Sequence, residues 1–163
     1  MNTERTTVRI AAAADIHTKK TSQGAFQTLF TRATEEADVM LLCGDLTDYG
    51  SVDEARVLAK EITSSLRIPA IGVLGNHDFE TNQEQEIVKI LTDAGVTMLD
   101  GDTIELHGVG FAGVKGFGGG FGRRALGAWG EKIIKDFVHE AIEEALKLEA
   151  ALARLRTPQK IGE

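Results

Sequence analysis

The chain has 163 residues, of which 42% are hydrophobic, and a formal net charge of −7; that is enough apolar material for a packed core and excludes a disordered polypeptide. The acidic balance argues against a nucleic-acid or anionic-membrane surface, because phosphate backbones attract a basic face, but a small phosphate-bearing ligand stays open, since bound cations reverse the local sign. Cys43 is the one cysteine, so no internal disulfide forms; residues 1–7 carry no apolar signal core and no stretch is long enough to span a bilayer, so a cytoplasmic protein is expected.

Residues 8–14 form a short apolar run ending at Asp15, read as a buried strand. Ala11 to Ala14 would equally suit a helix, but the turn-like Thr18, Lys19, Lys20, Thr21 and Ser22 that follow favour the strand. Phe26, Leu29, Phe30, Ala33 and Ala37 then repeat at helical spacing. Residues 39–43 make a second strand that stops at Gly44 and Asp45. The next helix has Ser51 as its N-cap, Asp53 and Glu54 in its first turn, and Ala55, Leu58, Ala59, Ile62 and Leu66 as its apolar stripe. Pro69 breaks the chain before a third strand over residues 70–74. A third helix over residues 82–94 carries Ile87, Ile90 and Leu91 and closes on Gly95.

This alternation predicts an α/β fold: a mainly parallel sheet with crossover helices. The strands are continuously apolar, as in a sheet buried on both faces, which places Cys43 in packing. Beyond residue 95 the rhythm changes. Residues 96–99, 103–106 and 109–114 are strand-like pieces joined by tight turns at Asp100–Asp102 and His107–Gly108, which suits antiparallel hairpins. A glycine-rich segment over residues 113–122 follows. It lacks the Gly-Lys-Ser/Thr of a phosphate-binding loop and reads as a flexible connection, or as a lid that brings Arg123 or Arg124 to a substrate phosphate. Residues 131–155 form one long helix with Ile134, Val138, Ala141, Ala145, Leu148, Leu152 and Leu155 along one stripe, stopped by Pro158. Its spacing suits core packing or a coiled coil.

Three motifs sit where the first three strands end: Asp15-Ile16-His17, Gly44-Asp45-Leu46-Thr47-Asp48 and Gly75-Asn76-His77-Asp78. In parallel sheets ligands bind at the carboxyl ends of the strands. Asp15 and His17, two apart on an extended end, point the same way and can grip one cation. The Asp45 carboxylate has two oxygens and can bridge two cations, and the Asn76 amide oxygen can serve the second. Mixed nitrogen and oxygen ligation suits Mn, Fe or Zn, and Mg less well. Two ions about 3.5–4 Å apart can clamp a phosphoryl group and activate a water. His77 would then face the leaving group as a general acid, with Asp48 orienting and charging its imidazole. Gly44 and Gly75 permit tight strand exits.

D-x-H, G-D-x-x-D and G-N-H-D, spaced by about 25–30 residues, one strand–helix–strand step each, resemble the calcineurin-like metallophosphoesterase family. The resemblance is specific over residues 8–78 and looser beyond. It implies that the sheet belongs to an αββα sandwich and that two divalent ions serve a phosphomonoesterase or phosphodiesterase. By this resemblance Asp15, His17 and Asp45 match ligands of one metal, Asp45 and Asn76 match ligands of the other, His77 matches the catalytic histidine and Asp48 its partner. Asp78 closes its motif and stands behind the ligands. The family's later half supplies a lone ligand histidine and a G-H-x-H motif, and this chain has neither: its other histidines are His107, read as a hairpin turn, and His139, read as a solvated helix position. The 163 residues therefore read as a single, incomplete metallophosphoesterase domain, cut where a further strand would begin near Lys160. Two functional readings follow. One is a metal-dependent phosphoester hydrolase acting on a small molecule. The other is a non-catalytic binding or assembly module that retains the metal motifs. A sandwich lacking its second sheet leaves an apolar face open, so self-association covering that face is expected.

Overall fold

The computed structural model describes residues 7–156, and the chain divides after Leu99 into two compact units. The first unit alternates strand and helix: β1 (Ile10–Ala13), α1 (Gln27–Glu36), β2 (Val39–Cys43), α2 (Val52–Ser65), β3 (Ala70–Val73), α3 (Glu84–Asp93) and β4 (Val96–Met98). The four strands lie side by side in chain order, all parallel. Right-handed crossovers between strands that advance in one direction put every connecting helix on the same face. The core sits there. Phe30 and Ala33 of α1, Leu58 and Ile62 of α2, and Ile87 and Leu91 of α3 close over Met40, Leu42, Ala70 and Val96 of the sheet.

The helix ends follow local chemistry. Ser51 accepts a hydrogen bond from the Glu54 N–H while the Glu54 carboxylate accepts from the Ser51 N–H, so two otherwise unpaired donors at the start of α2 are satisfied reciprocally. Gly95, with φ of 93°, lets the chain leave α3 in the left-handed region.

Two expectations are corrected. Residues 96–98 do not start an antiparallel hairpin; β4 pairs parallel with β3, Ala70 opposite Val96, because α3 acts as a third crossover and Val96 is drawn into the core. The sheet is buried on both faces only at its centre, where Val39 and Ile71, which alternate with the helix-facing residues, are buried; at the edge β1 leaves Ile10 46% exposed and Ala12 exposed, and Cys43, at the end of β2, is likewise exposed rather than packed.

The second unit contains a hairpin, β5 (Thr103–Leu106) with β6 (Val109–Ala112), and a long helix α4 (Lys132–Arg156). His107 and Gly108 form the two-residue turn, both with positive φ, as a tight hairpin requires. A Cβ at Gly110 would come within 2.9 Å of the Leu155 side-chain tip, where α4 packs on β6, and would make that leucine shift. The glycine-rich segment leads into a short 3-10 turn, Gly122–Arg124, and is held to α4 by the buried Glu144 carboxylate, which accepts from the Gly116 N–H at 2.9 Å and pairs with Lys147. His139 is exposed on α4. The expected stop at Pro158 and the expected strand near Lys160 lie outside the described residues. No helix among the described residues is long and apolar enough to cross a membrane.

Candidate metal centre

Pairing between the first two strand segments continues past the strands themselves. The Asp15 N–H donates to the Gly44 carbonyl at 3.1 Å, the His17 N–H to the Asp45 carbonyl at 2.9 Å, the Thr18 N–H to the Leu46 carbonyl at 3.0 Å, and the Asp48 N–H back to the Thr18 carbonyl at 3.1 Å. Asp15, His17 and Asp45 reach this geometry with φ of 53°, 47° and 48°. A left-handed backbone costs a non-glycine residue about 1–2 kcal/mol. Three such residues side by side concentrate strain where the motifs meet, as functional sites commonly do. Gly75 lies so close that a Cβ there would overlap the Asp45 carboxylate and amide nitrogen.

Asp78 locks the second and third motifs together. Its carboxylate is fully buried and accepts from the Leu46 N–H at 3.1 Å, the Thr47 N–H at 2.8 Å, the Thr47 hydroxyl at 2.6 Å and the Gly75 N–H at 2.8 Å. Charge-assisted hydrogen bonds of this kind are strong. They tie the exit of β2 to the exit of β3 from behind.

With the backbone fixed in this way, three side chains converge. Each of His17, Asp45 and His77 offers a ligand atom within 4.8 Å of the others. His17 Nε2 lies 3.9 Å from Asp45 Oδ2, the two imidazoles meet edge to face with centroids 4.5 Å apart, and Asp45 Oδ1 accepts from the His77 N–H at 3.0 Å. Two imidazole nitrogens and a carboxylate oxygen form a donor set that fits one divalent ion of the Mn, Fe or Zn type. The sequence suggests His77 only as a general acid; the geometry also puts it among the possible ligands. Asp15 and Asn76 are exposed, and Asp15 is not among the groups that converge with His17, Asp45 and His77. Asn76 begins the 3-10 turn His77–Phe79.

Asp48 departs from its expected contact. His77 Nδ1 is hydrogen-bonded at 2.8 Å to the main-chain carbonyl of Asp48, not to its carboxylate. That carboxylate instead faces His17 Nδ1 at 3.4 Å and Lys19 Nζ at 3.6 Å. The loop path explains the difference: the Asp48 N–H is bonded to Thr18, so its side chain is turned toward the first motif. The hydrogen bond to the Asp48 carbonyl pushes the His77 pKa up; desolvation opposes it, and the charges of Asp45, Glu80 and Asp48 add to the rise. No residue pattern signals a main-chain acceptor, which is why the sequence alone does not reveal it. Thr47, whose hydroxyl supports Asp78, is likewise hidden in an ordinary turn composition. Arg123 and Arg124 lie on the 3-10 turn of the second unit, both exposed.

A comparison with curated proteins gives no match. The family model described as calcineurin-like phosphoesterase matches residues 8–141, a span that includes all three motifs and most of the chain. Strand exits, the Asp78 tie and the imidazole–carboxylate cluster thus stand in a sequence context that a whole-domain pattern also recognises, and the chain belongs to the calcineurin-like phosphoesterase family.

Proposed function

We propose that this protein is a metal-dependent hydrolase of a small phosphomonoester or phosphodiester. The observation that carries this reading is the convergence of His17, Asp45 and His77 at the ends of neighbouring strands. His17 and Asp45, with Asp15, are the residues that would hold a first divalent ion, and Asp45 and Asn76 those that would hold a second. Such ions supply Lewis-acid stabilisation of the phosphoryl oxygens and a water of lowered pKa. The chain's own residues do the rest. His77, whose Nδ1–H is held by the Asp48 carbonyl and whose pKa is raised, would as imidazolium donate its other proton, the one on Nε2, to the leaving oxygen and keep the one on Nδ1. Asp45 holds the His77 main chain through its Oδ1, and Asp78 keeps both strand exits in register from beneath.

Turnover of bis-p-nitrophenyl phosphate and p-nitrophenyl phosphate with added Mn tests the reading. Activity should vanish on chelation and on Asp45→Ala, and fall by about 100- to 10,000-fold in His77→Ala, the range for loss of a general acid. Parent-level turnover in either variant would refute the assigned roles.

A second reading is favoured by the sequence: neither the lone ligand histidine nor a G-H-x-H motif is present. In that reading the chain is a self-associating module that keeps the metal motifs without catalysis. Calorimetric titration with Mn or Zn separates the two, since tight binding of two equivalents fits the hydrolase and no binding fits the module.

A further inference from the structure

We propose that residues 115–137 form a shallow docking surface for an anionic lipid bilayer. The proposal concerns the second unit alone and stands apart from the metal-site reading.

Apolar side chains crowd into this stretch and stay in water. Phe121 is 88% exposed, Ile133 72% and Trp129 65%, and Phe117, Leu126 and Phe137 are exposed as well. Four of the protein's nine aromatic residues, counting seven Phe, one Trp and one Tyr, lie here. The exposure is therefore concentrated, unlike the scattered apolar surface of ordinary proteins. Positive charge is concentrated in the same place. Lys115, Arg123, Arg124, Lys132 and Lys135 are offset only by Glu131 and Asp136, a net of +3 in a chain of −7, so the remaining residues carry −10. Lys132 is paired with Asp136 at 2.6 Å, whereas Arg123 and Arg124 form no ion pair among the described residues. The acidity of the chain as a whole averages over this asymmetry.

The fold presents the stretch instead of packing it away. Glu144 of α4 accepts from the Gly116 N–H. Phe117 meets Phe137 edge to face with centroids 5.2 Å apart, and Lys115 Nζ stands 5.1 Å from the Phe117 centroid. Gly119 passes so close to α4 that a Cβ there would come within 2.7 Å of the Ala141 Cβ. The segment is thus fastened to the helix as far as Gly119, and every residue from Phe121 to Gly130 is exposed. Glycines at 118–120, 122, 127 and 130 leave the backbone free to turn the side chains between them toward one surface.

This combination selects a headgroup layer. Trp and Phe lodge at the boundary between acyl chains and headgroups. Binding there grows with the apolar area buried and with the attraction of Lys and Arg to anionic lipids. Between Phe117 and Ala125 the main chain closes turn hydrogen bonds, Gly119 to Phe117, Arg124 to Phe121 and Ala125 to Gly122. A backbone of that kind stays at headgroup depth, because unpaired main-chain groups do not enter hydrocarbon. A twofold contact between two copies of the patch would set +3 against +3. A single-stranded nucleic acid would leave Leu126 and Ile133 unused, since bases stack on ring faces.

Trp129 is the only tryptophan, so its fluorescence reports on this segment alone. The metal-free full chain is mixed with vesicles of phosphatidylcholine, or of phosphatidylcholine and phosphatidylserine at about three to one, and sedimented. With the anionic vesicles Trp129 emission should shift to the blue and the protein should pellet. Raising the salt from about 0.1 M to about 1 M should weaken binding, because the screening length shrinks about threefold. Arg123→Gln combined with Arg124→Gln should weaken it about 30-fold, at about fivefold for each charge, and Phe121→Ser about 10-fold. All three substitutions replace exposed side chains, so the fold should be retained. Neither shift nor pelleting, equal binding to the neutral and the anionic vesicles, or parent-level binding by both variants would overturn the proposal. A Trp129 shift with oligothymidylate and none with vesicles would assign the patch to single-stranded nucleic acid instead. A shift that follows protein concentration alone would assign it to a second copy, and either result overturns the lipid assignment.

Discussion

At the scale of single residues, the site is governed by two groups that do no chemistry on a substrate. Asp78 is the first. Its carboxylate receives four hydrogen bonds from Leu46, Thr47 and Gly75 with no exposure to water. Asp78→Ala leaves those donors without acceptors, and each buried donor left bare costs about 1–3 kcal/mol. The variant should lose on the order of 3 kcal/mol in urea unfolding, a large share of a domain's total of about 5–15 kcal/mol. Asp78→Asn, which keeps one acceptor oxygen, should lose less. A variant as stable as the parent would show that the two strand exits hold without this tie. The main-chain carbonyl of Asp48 is the second group. It raises the His77 pKa above the ordinary histidine value, most strongly among the causes acting there. A folded pKa above the unfolded one means that the native state holds the proton more tightly. The resulting stability is fully present below the unfolded value and is lost as pH rises through the folded one. The parent should therefore lose stability relative to His77→Ala across that window, and the His77 ring resonances of the metal-free protein should titrate above the ordinary histidine range. A midpoint at or below that range would remove the basis for a retained proton.

At the scale of elements, helix α2 shows how local chemistry anchors the site. Its capping box starts the helix at Ser51, directly after the Gly44–Asp48 segment, and Glu54 also accepts from the Tyr49 N–H at 3.0 Å. Ser51→Ala should cost about 1 kcal/mol, read as a lowered urea midpoint with unchanged slope; no loss would mean that Glu54 alone suffices. Elements of this sort were open to sequence reading because they rest on local rules. Ser51 with Glu54, the apolar stripes of Leu58 and Ile62 or Ile87 and Leu91, and the glycines at strand exits each announce themselves in a few neighbouring residues. The direction of β4 is different in kind. Three residues carry no directional signal, and only the packing of α3 and Val96 against the rest decides parallel pairing. The exposure of Cys43 follows from its place at the end of β2, since Val39 on the same face is fully buried. The site divides along the same line. Asp15, His17, Asp45 and Asn76 stand out by type and spacing, whereas the turning of Asp48 toward His17 depends on a backbone bond to Thr18 that no composition foretells. Glu144 is equally invisible, since a carboxylate on a helix is ordinarily solvated and its burial is explained by the Gly116 N–H and the Lys147 ammonium beside it.

At the scale of the whole molecule, the sheet of the first unit poses a problem that its own helices do not solve. All three crossovers lie on one face, so the other depends on what else covers it. β1 is an edge strand, with Ile10 46% exposed and Ala12 exposed, and Cys43 is exposed at the end of the adjacent β2. An edge strand offers unpaired main-chain groups along its length, and proteins usually blunt such edges with charge, proline or a bulge. None of these interrupts the Ile10–Ala13 stretch. Apolar exposure next to an open edge favours pairing with another chain, and a homo-oligomer is the proposal that follows. Light scattering at micromolar concentration should find a species larger than one chain. Ile10→Lys should shift the population toward monomer, because a lysine there places charge on the apolar face beside the open edge. The substitution lies away from the core that joins the helices to the sheet, so the fold should survive and the change in mass should report association alone. A parent that scatters as a single chain would mean that the edge and the exposed face are tolerated in water, and the assembly reading would lose its physical basis.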